Sequence, residues 1–119
     1  MIVPVLSFGN RKKAKIKIAN TLDSLGCMAG LSGSHQKAYA YFEKQLPVEV
    51  ELGRKTGIAS ALSGLGAAAC ALGDYSTAYD YFERVLKISE DVDFHYVQTA
   101  KKYIEKISHI TRSNSESET

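Results

Sequence analysis

The 119-residue chain has no tryptophan, two prolines and two cysteines. No stretch reaches 18 consecutive apolar residues, so no membrane-spanning helix is expected. Cys27 and Cys70 stand alone, without a CxxC and without a histidine at metal-ligand spacing, which leaves no metal motif. Both lie in runs of small residues and are expected as buried, reduced thiols. The formal charge is +2, too small to force a nucleic-acid or membrane partner. The opening stretch MIVPVLSF is too short for a secretory leader, and its cations follow it instead of preceding it, so the chain is expected to be cytoplasmic. Apolar residues at 45% and charged residues at 24% describe a folded chain of one domain at most.

Against these shortages stand nine glycines and seven tyrosines, and many of them recur at a fixed interval. Residues 18–46 and 58–86, offset by 40, share 13 identities in 29 positions. Ile18 meets Ile58, Leu25–Gly26 meets Leu65–Gly66, Gly33 meets Gly73, and Tyr41–Phe42–Glu43 meets Tyr81–Phe82–Glu83. A period between about 20 and 50 residues is the signature of stacked repeats.

Within each unit the apolar spacing is helical. Leu22, Leu25, Gly26 and Ala29 share one face, as do Leu62, Leu65, Gly66 and Ala69. Gly33 and Gly73 are expected to end these first helices. Ser34 and Asp74 are placed to cap the second helices, which carry Ala38 and Phe42, and Ala78 and Phe82. Gly26 and Gly66 are expected to let the partner helix approach closely, at about 1 kcal/mol of helix propensity each. Pro47 removes a backbone donor inside the second helix of the first unit, so a kink or an early stop near Gln45 is expected. A last helix shows an apolar stripe of Val97, Ala100, Ile104 and Ile107, with Glu90, Asp91 and Asp93 available to cap it.

This pattern resembles the tetratricopeptide repeat, W-x2-L-G-x2-Y, then A-x3-F, then P. Here Leu22 and Leu62 replace the Trp, Ala29 and Ala69 replace the Tyr, and Val50 and Glu90 stand at the closing Pro. The 40-residue spacing is similar to the extended repeats of spindle-orientation adaptors and receptor-clustering proteins. Their inter-repeat run, L-G-D-R-x-G, resembles Leu52-Gly53-Arg54-Lys55-Thr56-Gly57 without the Asp.

The resulting expectation is an all-α, tetratricopeptide-like helical-hairpin solenoid of about two repeats plus a C-terminal capping helix. Residues 1–14 form a basic segment, read as a remnant of a preceding repeat. Residues 15–53 and 54–93 form the repeats, 94–109 the capping helix and 110–119 a disordered tail.

The resemblance implies a non-catalytic adaptor or scaffold that holds a protein or peptide segment in a concave groove. Carried over by family position, the groove is lined by Asn20, Asp23, Cys27 and Gly30, by Ser60, Ser63, Ala67 and Cys70, and by Thr99, Lys102 and Lys106. Arg54 and Lys55 are placed to reach a peptide from the inter-repeat edge. The lining does not match the Lys/Asn clamp of chaperone-binding members.

No catalytic constellation, metal site or cofactor motif is read, and no small-molecule substrate is expected. Arg11, Lys12, Lys13, Lys15 and Lys17 form a basic cluster with no acid in the first 20 residues. It supports an alternative reading, docking to nucleic acid or an anionic membrane. Nucleic acid is disfavoured, because no aromatic residues interleave the cations. Self-association through exposed end faces, as a structural unit of a larger array, is the third reading.

Overall fold

The computed structural model describes residues 3–88 and 92–117. Their helices are α1 (Val3–Leu31), α2 (His35–Leu52), α3 (Lys55–Ala71), α4 (Tyr75–Lys87) and α5 (Phe94–Ser117), with no strand among the described residues. Each helix packs against the next, and α3 also touches α1 and α5. The result is a stack of two hairpins closed by a fifth helix. Its radius of gyration is 16.8 Å, against about 13–14 Å for a compact chain of this length.

Three glycines set the reversals. Gly33, Gly53 and Gly73 have φ of +84°, +67° and +84°, a region costly for any residue with a Cβ. Each sits in the same hydrogen-bonded ending. The amide after the glycine donates to a carbonyl five residues back: Ser34 to Ala29, Arg54 to Glu49 and Asp74 to Ala69. At the start of α4 the Asp74 carboxylate accepts the Thr77 amide, as expected for a cap. Ser34 makes no such side-chain bond, so the cap expected there is not formed. Asp93 accepts the His95 amide at the start of α5, while Glu90 and Asp91 lie outside the described residues.

The core follows the repeat. Phe82 packs with Leu62, Ala69, Ala78, Val85, Ala100 and Ile107, and its ring stacks on Tyr103 at 4.5 Å. Phe42 packs with Ala29, Ala38, Leu65 and Ala68. The close approach expected at the helix glycines is present. A Cβ on Gly26 or Gly66 would stand 2.7 Å from the ring of Phe42 or Phe82. A Cβ on Gly64 would stand 2.6 Å from Phe42, so that one ring meets glycine backbone on both α1 and α3. Tyr39 and Tyr81 join α2 to α4 through their hydroxyls, 3.0 Å apart. That bond, and then burial, push the Tyr39 hydroxyl up to about 12.

Four expectations are corrected. α2 runs through Pro47 to Leu52 with no early stop. Its buried stripe of Ala38, Phe42, Gln45 and Glu49 continues past the proline, so packing on both sides offsets the lost backbone bond. Residues 9–14 continue the same helix as the first repeat, without a break before residue 15. The tail expected to be disordered is helical as far as Ser117. Cys27 is exposed and Cys70 only half-buried, because α1 presents Cys27 on the open side of the stack.

Among the described residues, nothing packs on the outer face of α1. Ile18, Leu25 and Met28 are exposed there, Met28 to 65%, whereas their repeat equivalents Leu65 and Ala68 are buried against α2.

Candidate functional site

α1 and α3 lie side by side, and the open face between them carries two adjoining cavities. The first, about 640 Å³, is lined by Asn20 and Asp23 of α1, Gln45 and Glu49 of α2, the turn from Gly53 to Gly57, Ser60 of α3 and Tyr96 of α5. The second, about 510 Å³, is an apolar trough. Gly26, Cys27, Gly30 and Leu31 form one wall, Gly64, Ala67, Ala68 and Ala71 the other, and Ala38, Phe42 and Tyr103 also border it.

The trough follows from the repeat chemistry. Small residues at the exposed positions of α1 and α3 leave room that larger side chains would fill. The Phe42 ring then becomes reachable at the base. The groove is greasy without being a packed core, since nothing among the described residues fills it.

The polar cavity is built on a buried ion pair. Glu49 is 1% exposed, and Arg54 donates to both its oxygens, from Nε at 2.8 Å and from Nη2 at 3.2 Å. Arg54 Nη2 also donates to Asn20 Oδ1 at 2.9 Å, tying the inter-repeat turn to α1. Gln45 Nε2 donates to Glu49 Oε2 at 3.1 Å. Gly57 makes the space: a Cβ there would stand 1.9 Å from Glu49 Oε2. Across the groove, Ser60 Oγ donates to Asp23 Oδ1 at 2.7 Å. At the trough, partial burial and then the nearby Asp23 carboxylate push the Cys27 thiol up from its ordinary value. Cys27 is therefore protonated and weakly nucleophilic near neutrality.

The residues expected along the groove divide between the two cavities. Asn20, Asp23 and Ser60 border the polar one; Cys27, Gly30 and Ala67 border the apolar one. Ser63 and Cys70 border neither, and the buried Ser63 hydroxyl has no hydrogen-bond partner among the described residues. Thr99, Lys102 and Lys106 do not border them either; α5 contributes Tyr96 and Tyr103 instead. Arg54, expected to reach outward for a peptide, is occupied by Glu49 and Asn20.

The sequence places Gln45 on the second helix with Ala38 and Phe42 but assigns it no part in a site, and Glu49 was not singled out. Their signal was present: two polar residues on the buried stripe that begins at Ala38 and Phe42, with Val85 at the position matching Gln45.

The model of the tetratricopeptide repeat matches residues 17–91. The chain belongs to the tetratricopeptide repeat family. That span covers all of α2, α3 and α4 and residues 17–31 of α1. No curated protein and no solved structure matches the chain. Tetratricopeptide repeats generally mediate protein–protein interactions and are typically non-enzymatic. Among the described residues, no group of three or more His, Cys, Asp or Glu is placed to hold a metal ion, and no helix is long and apolar enough to cross a membrane.

The basic cluster lies on the N-terminal half of α1, at the far end from the trough. Arg11, Lys12, Lys13 and Lys17 are exposed there, while Lys15 pairs with Glu51 of α2.

Proposed function

We propose that this chain is an adaptor that holds an apolar segment of a partner protein in the groove between α1 and α3. The observation that carries this reading is the 510 Å³ trough, walled by Gly26, Cys27, Gly30 and Ala67 with Phe42 at its base. A cavity of that size accepts one or two large apolar side chains and buries them against an aromatic ring. The polar cavity beside it supplies hydrogen-bonding groups that orient the segment. A cytoplasmic setting fits two free cysteines.

The test is affinity capture with wild-type protein beside Ala67→Leu, which fills the trough. The expected result is a partner retained by the wild type and lost by the variant, while both melt alike. Equal capture by the two refutes the groove as the binding surface.

A second reading rests on the four exposed cations of α1: docking to an acidic protein or an anionic surface. It predicts binding that falls steeply between 50 and 200 mM salt and is lost on neutralising Arg11, Lys12 and Lys13. Binding indifferent to both changes refutes it.

A further inference from the structure

Along the outer face of α1, Ile18, Thr21, Leu25 and Met28 follow one another at spacings of three and four, and all are exposed. None of them borders either cavity of the groove. Their equivalents in α3 are Ile58, Ala61, Leu65 and Ala68, and the last three are buried. On that copy of the face α2 is the cover, with Ala38 and Phe42 packed on Leu65 and Ala68.

Two contacts give the register of the cover. Phe42 lies against Gly64 and Glu49 against Gly57, so α2 runs antiparallel to α3. Neither contact can be repeated on α1. The equivalent of Gly64 is Ser24, and a Cβ at that place stands 2.6 Å from such a ring. The equivalent of Gly57 is Lys17, whose Cβ takes the place of the Glu49 carboxylate. A helix with the Phe and Glu of α2 therefore does not seat on α1. One with a smaller apolar side chain opposite Ser24 does, slightly farther out, where the flexible Met28 fills the gap.

Charge describes the rest of the partner. Lys13 and Lys17 are exposed one turn apart beside this ridge, and no acid occurs in the first 20 residues. An antiparallel helix brings its C-terminal half to these cations, and the carbonyl end of a helix is itself negative. The chain's own helices do not qualify. The apolar stripes of α2, α4 and α5 are buried in the stack, and α4 ends on Arg84 and Lys87.

Resting on the second reading above for its cations, we infer that the outer face of α1 docks an antiparallel amphipathic helix of an acidic partner protein. That helix presents Leu, Ile or Met, and no aromatic ring, opposite Ser24. It carries Asp or Glu seven and eleven residues later, opposite Lys17 and Lys13.

The experiment pans phage-displayed, alanine-based helical peptides of about 20 residues, randomised on one face, against the full chain. The enriched peptide, labelled with fluorescein, is then titrated by anisotropy. The expected consensus is Leu, Ile or Met followed seven residues later by Asp or Glu. Met28→Glu weakens binding at least tenfold, and Ala67→Leu leaves it within twofold. Phe at the peptide's Leu position weakens binding to the wild type at least tenfold, and Ser24→Gly restores it. Lys at the peptide's acidic position does the same, and Lys17→Glu restores it. The two peptide changes need no protein variant, so the test survives a variant that folds poorly.

An aromatic residue enriched at the apolar position, or Lys or Arg seven residues on, overturns the inference. Binding lost in Lys17→Glu but unchanged in Met28→Glu overturns the helix and keeps the second reading. Binding indifferent to Lys13 and Lys17 overturns both. Loss in Ala67→Leu assigns the peptide to the groove and overturns the inference, as does a library that yields no binder. Sedimentation of the chain alone as a dimer that Met28→Glu dissociates gives the face to a second copy. Binding to phosphatidylserine vesicles that Met28→Glu abolishes gives it to a membrane, and either result overturns the inference.

Discussion

The ring of Phe42 offers a test of the packing with a predicted sign. Alanine in place of Gly64 brings two opposed effects. It removes the flexibility of a mid-helix glycine, worth about 1 kcal/mol in favour of the folded state. It also sets a methyl group 2.6 Å from Cδ2, Cε2 and Cζ of Phe42. Ordinary carbon contacts lie at about 3.5–4.0 Å, so the ring must retreat by about 1 Å. Its retreat toward α1 is limited, because the position a Gly26 Cβ would take is 2.7 Å from Cε1 and Cζ, and the remaining room lies toward the trough. Overpacking of this kind costs about 1–3 kcal/mol, and the limited retreat favours the upper half of that range. Net destabilisation of about 1–2 kcal/mol is expected for Gly64→Ala. Gly30→Ala is the control: its nearest neighbour is the Ala38 Cβ at 3.9 Å, an ordinary contact, so only the propensity gain of about 0.5–1 kcal/mol operates. Urea unfolding followed by circular dichroism at 222 nm measures both. In a Phe42→Leu background the Gly64→Ala penalty should vanish. A Gly64→Ala protein as stable as wild type refutes the claim that the ring is held close against both glycines.

Arg54→Met leaves the buried Glu49 carboxylate unpaired and should destabilise by about 2–4 kcal/mol, discounted because Arg54 is partly exposed. The double change Glu49→Met/Arg54→Met should recover most of that loss, and a double variant no more stable than Arg54→Met counts against the pair as described. Asp74→Ala should cost about 1 kcal/mol through the lost cap, and Ser34→Ala almost nothing; equal losses in thermal unfolding would contradict the capping geometry. Alkylation of Cys27 by iodoacetamide should rise with pH at values above those of an ordinary thiol, since its thiolate forms only there. Asp23→Asn removes one of the two causes and should speed alkylation at a fixed pH of about 8; an unchanged or slower rate sets that cause aside.

Much of the architecture was legible because the repeat is written in the residues that cannot be exchanged. Gly33 and Gly73 need positive φ, and Gly26 and Gly66 need the absence of a Cβ, so the same letters return 40 positions later. The matching faces of α1 and α3 were legible because that spacing holds between them; on α5 the cavities are bordered by Tyr96 and Tyr103, not by the expected Thr99, Lys102 and Lys106. Backbone chemistry alone predicts a kink or a stop near Pro47, and the stop does not occur, because the burial of Phe42 and Gln45 before it and Glu49 after it holds the helix together. The polar cavity escaped notice for a related reason. Glu49 has no marked role in the sequence and Arg54 is expected to reach outward, whereas Gly57 opens a space in which the two pair.

The three identical turns at Gly33, Gly53 and Gly73 carry a rule about length. Each reverses the chain after the same 20 residues, so odd-numbered helices always line the groove and even-numbered ones always back it. Adding or deleting 40 residues at any turn keeps that alternation and merely lengthens or shortens the binding face. Adding 20 exchanges the two sets downstream, turning the Phe-bearing helices toward the partner and the small-residue helices away. Growth of this fold by duplication is thereby restricted to whole hairpins.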